Sequence, residues 1–254
     1  MPSPRDRFTV RIAETEADRR AAQALRYDVF VRELGAGGDL VDHDAGLERD
    51  EFDDFCDQMI ACDTASGQVV GVYRLLRDDQ AAQAGRFYSE GEYDLAPLRA
   101  DGRRLLELGR SCLHRDYRGG LVMHALWTAL ADYVARHGIE ILFGTASFHG
   151  TDAARLAAPL SLMHHAHLAP SDLRVRALPD GFHPMDLIAP GDLDRVAAMV
   201  QVPSLIKAYL RLGGVVGEGA FIDRVFNTTD VCLILDTARM TDRQSARYSA
   251  PRRT

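Results

Sequence analysis

Apolar and polar residues alternate over Phe8–Ile12, the two-residue period of a short strand. From Glu16 to Leu34 the period lengthens to that of a helix. Ala21, Leu25, Val29 and Phe30 share one side, Glu16 and Asp18 sit at the positive start, and Gly35–Gly38 ends the run. The stretch 39–57 is acidic and irregular. Gln58–Cys62 and Val69–Leu76 read as two strands joined through Ser66-Gly67, a hairpin. Asp78–Gly102 is polar and loop-like, with a short helix around Gln80. Arg104–Leu113 predicts a strand, and Arg115–Gly120 a polar, glycine-bearing loop. Leu121–His137 predicts a long helix with Leu121, Ala125, Thr128, Leu130 and Val134 at helical spacing and Gly138 as its stop. Ile139–Phe148 reads as a buried strand, after which Thr151 or Asp152 is placed to cap a helix running to about His167. Leu173–Leu178 predicts a strand. A helical stretch starts at Asp192, breaks at Pro203 and resumes over Lys207–Leu212 before Gly213-Gly214. Val231–Asp236 predicts the last strand. There is no internal repeat and no low-complexity linker.

This order predicts an α/β fold in which a strand feeds a polar loop into a helix and then a buried strand. Helix N-termini in such units offer N–H groups to anionic phosphate. The 254 residues, 46% hydrophobic and 26% charged, suffice for one large domain or a domain with an appendage. A net charge of −7 argues against non-specific nucleic-acid binding as the main activity. Cys56, Cys62, Cys112 and Cys232 form no CxxC pair, so reduced thiols and a cytoplasmic setting are expected. The start, MPSPRDRFTV, has no apolar core of a secretory signal, and no apolar run reaches the roughly 18–20 residues of a spanning helix. Any membrane contact is therefore expected to be peripheral. Arg239, Arg243, Arg247, Arg252 and Arg253 face only Asp242 near the C-terminus. That tail reads either as solvated chain or as a contact for an anionic lipid surface or an acidic carrier protein.

Chemistry concentrates in Leu105–Leu113, where Glu107 and Arg110 interrupt an apolar strand. Burying such charges costs several kcal/mol unless they are paired or used. A regular strand points them to opposite faces, and a bulge at Gly109 would bring them to one. Next comes Arg115-Asp116-Tyr117-Arg118-Gly119-Gly120, whose glycines would let backbone N–H groups approach a phosphate. Glu48–Asp54 taken alone is a solvated acidic loop, and Arg26 with Phe30 is one face of an amphipathic helix. His164, His165 and His167 lack Cys, Asp or Glu at ligand spacing, so no metal is expected there. Trp127 is expected in the core, and Ser111 has no GxSxG context that would make it a nucleophile.

Arg26…Phe30, Asp50…Asp53, Gly71-Val72-Tyr73-Arg74-Leu75 and Glu107-Leu108-Gly109-Arg110 resemble, in that order, the acyl-homoserine-lactone synthases. The ELGRSC…YR run, Pro203-Ser204-Leu205-Ile206-Lys207-Ala208-Tyr209 and Phe226-Asn227-Thr228-Thr229-Asp230 resemble the ornithine-lipid N-acyltransferase family more closely. The likeness covers roughly residues 8–236. The lactone synthases have a tryptophan shortly after the Phe30 position. Here the sole Trp is Trp127 and the chain is longer, both of which favour the lipid branch. Adjacent Gly119 and Gly120 depart from the Arg/Gln-x-x-Gly-x-Gly/Ala acyl-CoA pattern and suit a carrier-bound phosphopantetheine better.

The resemblance implies a GCN5-related N-acyltransferase fold: a mixed, twisted central sheet flanked by helices, with a C-terminal helical extension. It divides the chain into a flexible start (1–7), an acyltransferase domain (8–236, with a helical insertion at about 192–214) and a basic tail (237–254). It implies transfer of a 3-hydroxyacyl group from acyl carrier protein to the α-amine of L-ornithine, giving lyso-ornithine lipid without a resident cofactor. It leaves two rival acceptors open: S-adenosylmethionine, as in a lactone synthase, and glutamine or another amino acid. Glu107 is then the general base. Arg26, Phe30, Asp50, Asp53, Arg74 and Arg110 form the substrate site, and Arg115, Arg118, Gly119 and Gly120 take the phosphopantetheine. Asp50 and Asp53 either hold the ornithine ammonium or pair with the arginines. A membrane contact, if made, is at the inner membrane.

Overall fold

A computed structural model of the chain describes residues 7–38, 41–118 and 120–240. The described chain forms two compact units. One is drawn from the described residues of 7–85 and 108–138, the other from those of 86–107 and 139–240. The tail arginines beyond Arg239, and Gly119, lie outside the described residues.

The first unit opens with strand β1 (Phe8–Ile12) and helix α1 (Glu16–Arg26). Thr15 starts α1 with a reciprocal cap: its hydroxyl accepts from the Asp18 N–H at 3.1 Å, and the Asp18 carboxylate accepts from the Thr15 N–H at 3.2 Å. The expected single helix to Leu34 changes form at Tyr27, where a π-helical stretch, Tyr27–Glu33, takes over. The wider turn adds residues without any signature in the side-chain period, which is why the sequence reads as uninterrupted helix. The acidic stretch forms the two-residue strands β2 (Val41–Asp42) and β3 (Leu47–Glu48), then a 3₁₀ turn, Glu51–Asp54, capped by Asp50. Strands β4 (Asp57–Asp63) and β5 (Val69–Arg77) make the expected hairpin, with β1 on the far side of β4. Helix α2 (Asp78–Ala84) then ends at Gly85 in the left-handed conformation.

Residues 86–107 open the second unit. The part up to Gly102, expected as polar loop, carries a 3₁₀ turn (Tyr88–Gly91), strand β6 (Tyr93–Asp94) and helix α3 (Ala96–Asp101). Phe87, Tyr93, Leu95 and Leu98 are all buried. Single apolar residues at uneven spacing can anchor a segment without producing a period.

Strand β7 (Leu105–Leu113) belongs to both units. Leu105, Leu106 and Glu107 pair in parallel with Ile141, Leu142 and Phe143, whereas the later residues lie in the first unit beside β5. The irregularity expected at Gly109 falls on its neighbour: Arg110 is the residue with a left-handed backbone, φ 49°. A non-glycine residue holds that conformation only where its surroundings fix it.

Helix α4 (Leu121–His137) has the expected bounds, entering from Gly120 and leaving at Gly138, both left-handed. Its buried face matches the expected one at Leu130 and Val134 and differs before them: Val122, Leu126 and Tyr133 are buried, while Leu121 is 51% exposed and Ala125, Thr128 and Trp127 are only half-buried. Gly71 of β5 explains the register. A Cβ there would lie 2.9 Å from Val122 and Leu113 and 3.0 Å from Leu126, so the missing side chain makes room for that stripe.

In the second unit, β8 (Ile141–His149) precedes helix α5 (Ala157–His167). Thr151 and Asp152 do not cap α5; they begin turns, with Ala153 bonding back to Thr151 and Arg155 to Asp152. Pro159 accounts for the late start. A helix begun at Asp152 would bury Pro159 in its interior, whereas a start at Ala157 keeps it in the first turn. Strands β9 (Arg176–Ala177) and β10 (Phe182–His183) follow, then helices α6 (Arg195–Gln201) and α7 (Ser204–Arg211), broken at Pro203 as expected. Strands β11 (Val215–Val216), β12 (Ala220–Asp223) and β13 (Thr228–Asp236) complete the unit. β13 pairs antiparallel with β8 along its whole length, Thr228↔His149 to Asp236↔Ile141. The sheet is thus mixed. Among the described residues no helix is long and apolar enough to cross a membrane.

Candidate active site

Five of the residues singled out in the sequence meet in the first unit, with one that was not. Arg26 is completely buried and donates from Nε to Glu48 at 2.5 Å and from Nη1 to Asp53 at 2.7 Å. Arg74 donates from Nη1 to Asp50 at 2.5 Å and to Asp53 at 3.1 Å. Arg110 donates from Nε to Glu48 and from Nη2 to Asp50, both at 3.0 Å. Each carboxylate therefore joins two guanidiniums and each guanidinium two carboxylates. Arg26, Glu48, Arg110, Asp50, Arg74 and Asp53 close a six-membered ring of alternating charge with no net charge. No side chain in it is more than 8% exposed.

Burial alone would push these carboxyl groups up. The guanidiniums outweigh it: Arg110 and Arg26 for Glu48, Arg74 and Arg110 for Asp50, and Arg26 and Arg74 for Asp53. All three are held below the ordinary carboxylate range. Two amides add to Asp53, Gln58 at 3.1 Å and Gln23 at 3.2 Å. The Asp50 carboxylate also accepts from the Phe52 N–H at 2.9 Å, and the Phe52 ring lies under the Arg74 guanidinium.

Glu48 was read as part of a solvated acidic loop, yet it is 0% exposed. Charge balance is the signal that could have found it. Three arginines on apolar elements need three buried acids, and Asp50 and Asp53 supply only two. Phe30 stands apart from these polar contacts. It packs, half-buried, on the apolar cluster of Ala22, Leu25, Val29, Ile60, Val72 and Cys112. Burial pushes the Cys112 thiol up to about 12, which makes it unreactive.

The segment after β7 carries the residues expected at a phosphate. Arg115 lies on a short 3₁₀ turn, Arg115–Tyr117, and is exposed. Arg118 is 47% exposed; its Nη2 donates to Glu33 at 2.7 Å and its Nε to the Leu113 carbonyl at 3.2 Å. Gly120 stands at the N-cap of α4 with φ 93°, and no side chain caps the helix or places an acid in its first turn. An uncapped seventeen-residue helix next to two exposed arginines is electrostatically suited to an anion.

Glu107 lies in the second unit and is 3% exposed. Its Oε2 accepts the Tyr88 N–H at 2.8 Å, and its Oε1 accepts both the Ser89 N–H, at 2.6 Å, and the Ser89 hydroxyl. Sequence reasoning gave no hint of Tyr88 and Ser89, because two of the three donors are backbone.

For metals, Glu92, Asp223 and Asp230 bring one carboxylate oxygen each within 4.8 Å of one another, a group found among the described residues. Asp223 also accepts from the Val225 and Phe226 N–H groups, and Asp230 from the Thr228 hydroxyl. His164 and His165 touch edge to face, and His165 Nε2 lies 2.9 Å from the Ile188 carbonyl. The cysteines are free thiols.

A family model described as an acetyltransferase (GNAT) domain matches residues 25–128, which hold the charge ring, Glu107 and the α4 entry. An L-ornithine N(alpha)-acyltransferase of Rhodobacter capsulatus is 57% identical over 247 residues, 95% of each chain. One of Brucella abortus is 42% identical over 248 residues, covering 95% of this chain and 88% of its own. Among solved structures, the CoA-dependent acyl-homoserine lactone synthase BjaI, with MTA, superposes with a TM-score of 0.52 at 17% identity, over 92% of this chain and 82% of that one. That likeness is one of fold, and it agrees with the mixed sheet and flanking helices described above.

Proposed function

Because the chain belongs to the L-ornithine N(alpha)-acyltransferase family, we propose that it acylates the α-amine of L-ornithine, taking a 3-hydroxyacyl group from acyl carrier protein and releasing lyso-ornithine lipid. The observation that carries this reading is the 57% identity to a relative of that name across 95% of both chains. The donor and the lipid product extend it, and the departure of Gly119-Gly120 from the acyl-CoA loop pattern favours a carrier-borne phosphopantetheine.

The reaction is aminolysis of a thioester. The ornithine α-amine gives a proton to Glu107, directly or through a water, and its nitrogen attacks the thioester carbonyl carbon. The tetrahedral intermediate collapses, the C–S bond breaks, and the carrier thiol leaves with a proton. A buried carboxylate whose orientation is set by three hydrogen bonds suits the role of base. Backbone N–H groups around Gly109–Cys112 are assigned to the oxyanion, one such donor being worth ~2.7–4 kcal/mol. The left-handed backbone at Arg110 supports this, since it breaks the regular strand and re-aims its N–H groups.

Asp50 and Asp53 brace the arginines in this reading. The closed ring supports that choice, because each acid is already engaged by two guanidiniums. Arg115, Arg118 and the start of α4 receive the phosphopantetheine phosphate. The enzyme works in the cytoplasm, and its amphiphilic product and arginine-rich tail suit a peripheral contact with the inner membrane.

The test is product formation by the purified chain. With 3-hydroxyacyl-carrier protein as donor, ornithine, glutamine and S-adenosylmethionine are offered in separate reactions and the products identified by mass spectrometry. N-acyl-ornithine is expected. A lactone from the S-adenosylmethionine reaction, or acylation of glutamine alone, would overturn the assignment of acceptor.

A further inference from the structure

We propose that Ser89 is the positioning residue for Glu107, holding its carboxylate charged and oriented for proton transfer. This rests on the reading of Glu107 as the base.

Ser89 is fully buried, and it gives Glu107 Oε1 two donors at once, its N–H and its hydroxyl. Tyr88 gives Oε2 a third through its backbone. Hydrogen bonds from protein donors favour the charged form of a carboxyl group, whereas burial favours the neutral one. Of these donors, the two N–H groups belong to the backbone and the Ser89 hydroxyl to a side chain, so a substitution at Ser89 removes one donor and leaves the backbone bonds in place.

The turn that carries Ser89 is braced on both sides. Phe87 stacks edge to face on Phe143, the residue in register with Glu107, at 5.0 Å. The Glu90 carboxylate accepts the Phe87 N–H at 2.7 Å and both Arg99 Nε and Nη2, at 2.8 and 2.7 Å, while the Arg99 guanidinium lies over the Phe87 ring. The Ser89 carbonyl accepts from the Glu92 N–H at 3.0 Å. A donor mounted on such a turn cannot follow a displaced carboxylate, so it fixes the position of that carboxylate. Nothing in this arrangement demands a hydroxyl for folding alone: Ser89 makes its two bonds to Glu107 and one through its carbonyl, and the anchors of the turn are Phe87, Glu90 and Arg99.

The experiment compares pH profiles of kcat/KM for the intact enzyme and for Ser89→Ala, Ser89→Thr and Glu107→Gln, with circular dichroism as a check on folding. The protonation of the ornithine amine is common to all and cancels between them. Ser89→Ala is expected to move the acidic limb to higher pH by about one unit or more, because loss of a donor to a charged acceptor raises the proton affinity of that acceptor. Ser89→Thr, which keeps the hydroxyl, is expected to return the limb toward its original place. Should the alanine variant not fold, Ser89→Cys carries the comparison, being close in volume and a weak donor; its limb is expected to move the same way. A folded Ala or Cys variant with an unshifted limb would overturn the role of Ser89. A Glu107→Gln enzyme with undiminished turnover would instead overturn the assignment of the base, whatever Ser89 does.

Discussion

Arg110 reaches Glu48 from a left-handed backbone, its Nε 3.0 Å from Oε1, and Glu48 in turn receives the fully buried Arg26. Replacing Glu48 by Gln keeps the shape and removes one negative charge, leaving three buried guanidiniums against two acids. Breaking one partner out of a buried ion pair costs about 3–5 kcal/mol. Glu48→Gln is therefore expected to lower the urea midpoint by that equivalent with little change in slope. A midpoint unchanged from that of the parent protein would mean that the ring does not stabilise the fold.

The same ring sets a pH limit. Glu48, Asp50 and Asp53 are held below their ordinary range in the folded protein. Their contribution is complete above the unfolded-state values, roughly pH 4. It is lost as pH falls through their lowered folded values. Stability against urea is expected to be flat between about pH 5 and 7 and to drop steeply below about pH 4. A stability that stays level to about pH 3 would contradict the depressed acids.

Glu107→Gln preserves volume and removes the proton acceptor. Turnover is expected to fall about 10²–10⁴-fold with the fold intact, measured as steady-state kcat with saturating donor and ornithine. An unaltered kcat would take Glu107 out of the proton transfer.

Arg118 is more than 40% exposed and already shares its charge with Glu33 at 2.7 Å. If it contacts the phosphopantetheine phosphate directly, Arg118→Ala raises KM for the acyl donor, and the defect persists at ~1 M salt, where screening acts beyond about 3 Å. A defect confined to low salt would indicate long-range attraction of the carrier instead. An unchanged KM at every salt concentration would reject both roles.

How much of this was legible depended on whether the controlling group has a side-chain signature. Gly138 ends α4 where the sequence places the stop, because a left-handed cap selects glycine. The hairpin and the long strands follow from short apolar runs bounded by turn residues, as at Ser66-Gly67. Arg110 could be suspected from its place in an apolar strand, where charge needs a reason, whereas Arg26, Asp50, Asp53 and Arg74 came only from the family resemblance. Their closure into a ring could not, because it depends on Glu48 turning inward from a loop. At the start of α4 the buried positions are Val122 and Leu126 in place of the expected Leu121 and Ala125, because Gly71 on another strand lacks a side chain there. The Ser89–Glu107 contact left no trace, since backbone N–H groups are identical along the chain. The π-helical turn after α1 was invisible for a similar reason: it alters backbone bonding without altering composition.

The ring also bears on how the first unit is reached during folding. Its links join residues far apart along the chain, 22 positions for Arg26–Glu48 and 62 for Glu48–Arg110. Loops of that length must close before any of these charges finds its partner, so the ring assembles late. A strand that docked out of register would strand at least one ion in a dry interior, at a cost of several kcal/mol. The six residues therefore act as a proofreading step on β3, β5 and β7, which carry Glu48, Arg74 and Arg110: only the native alignment of these strands lets every charge be matched.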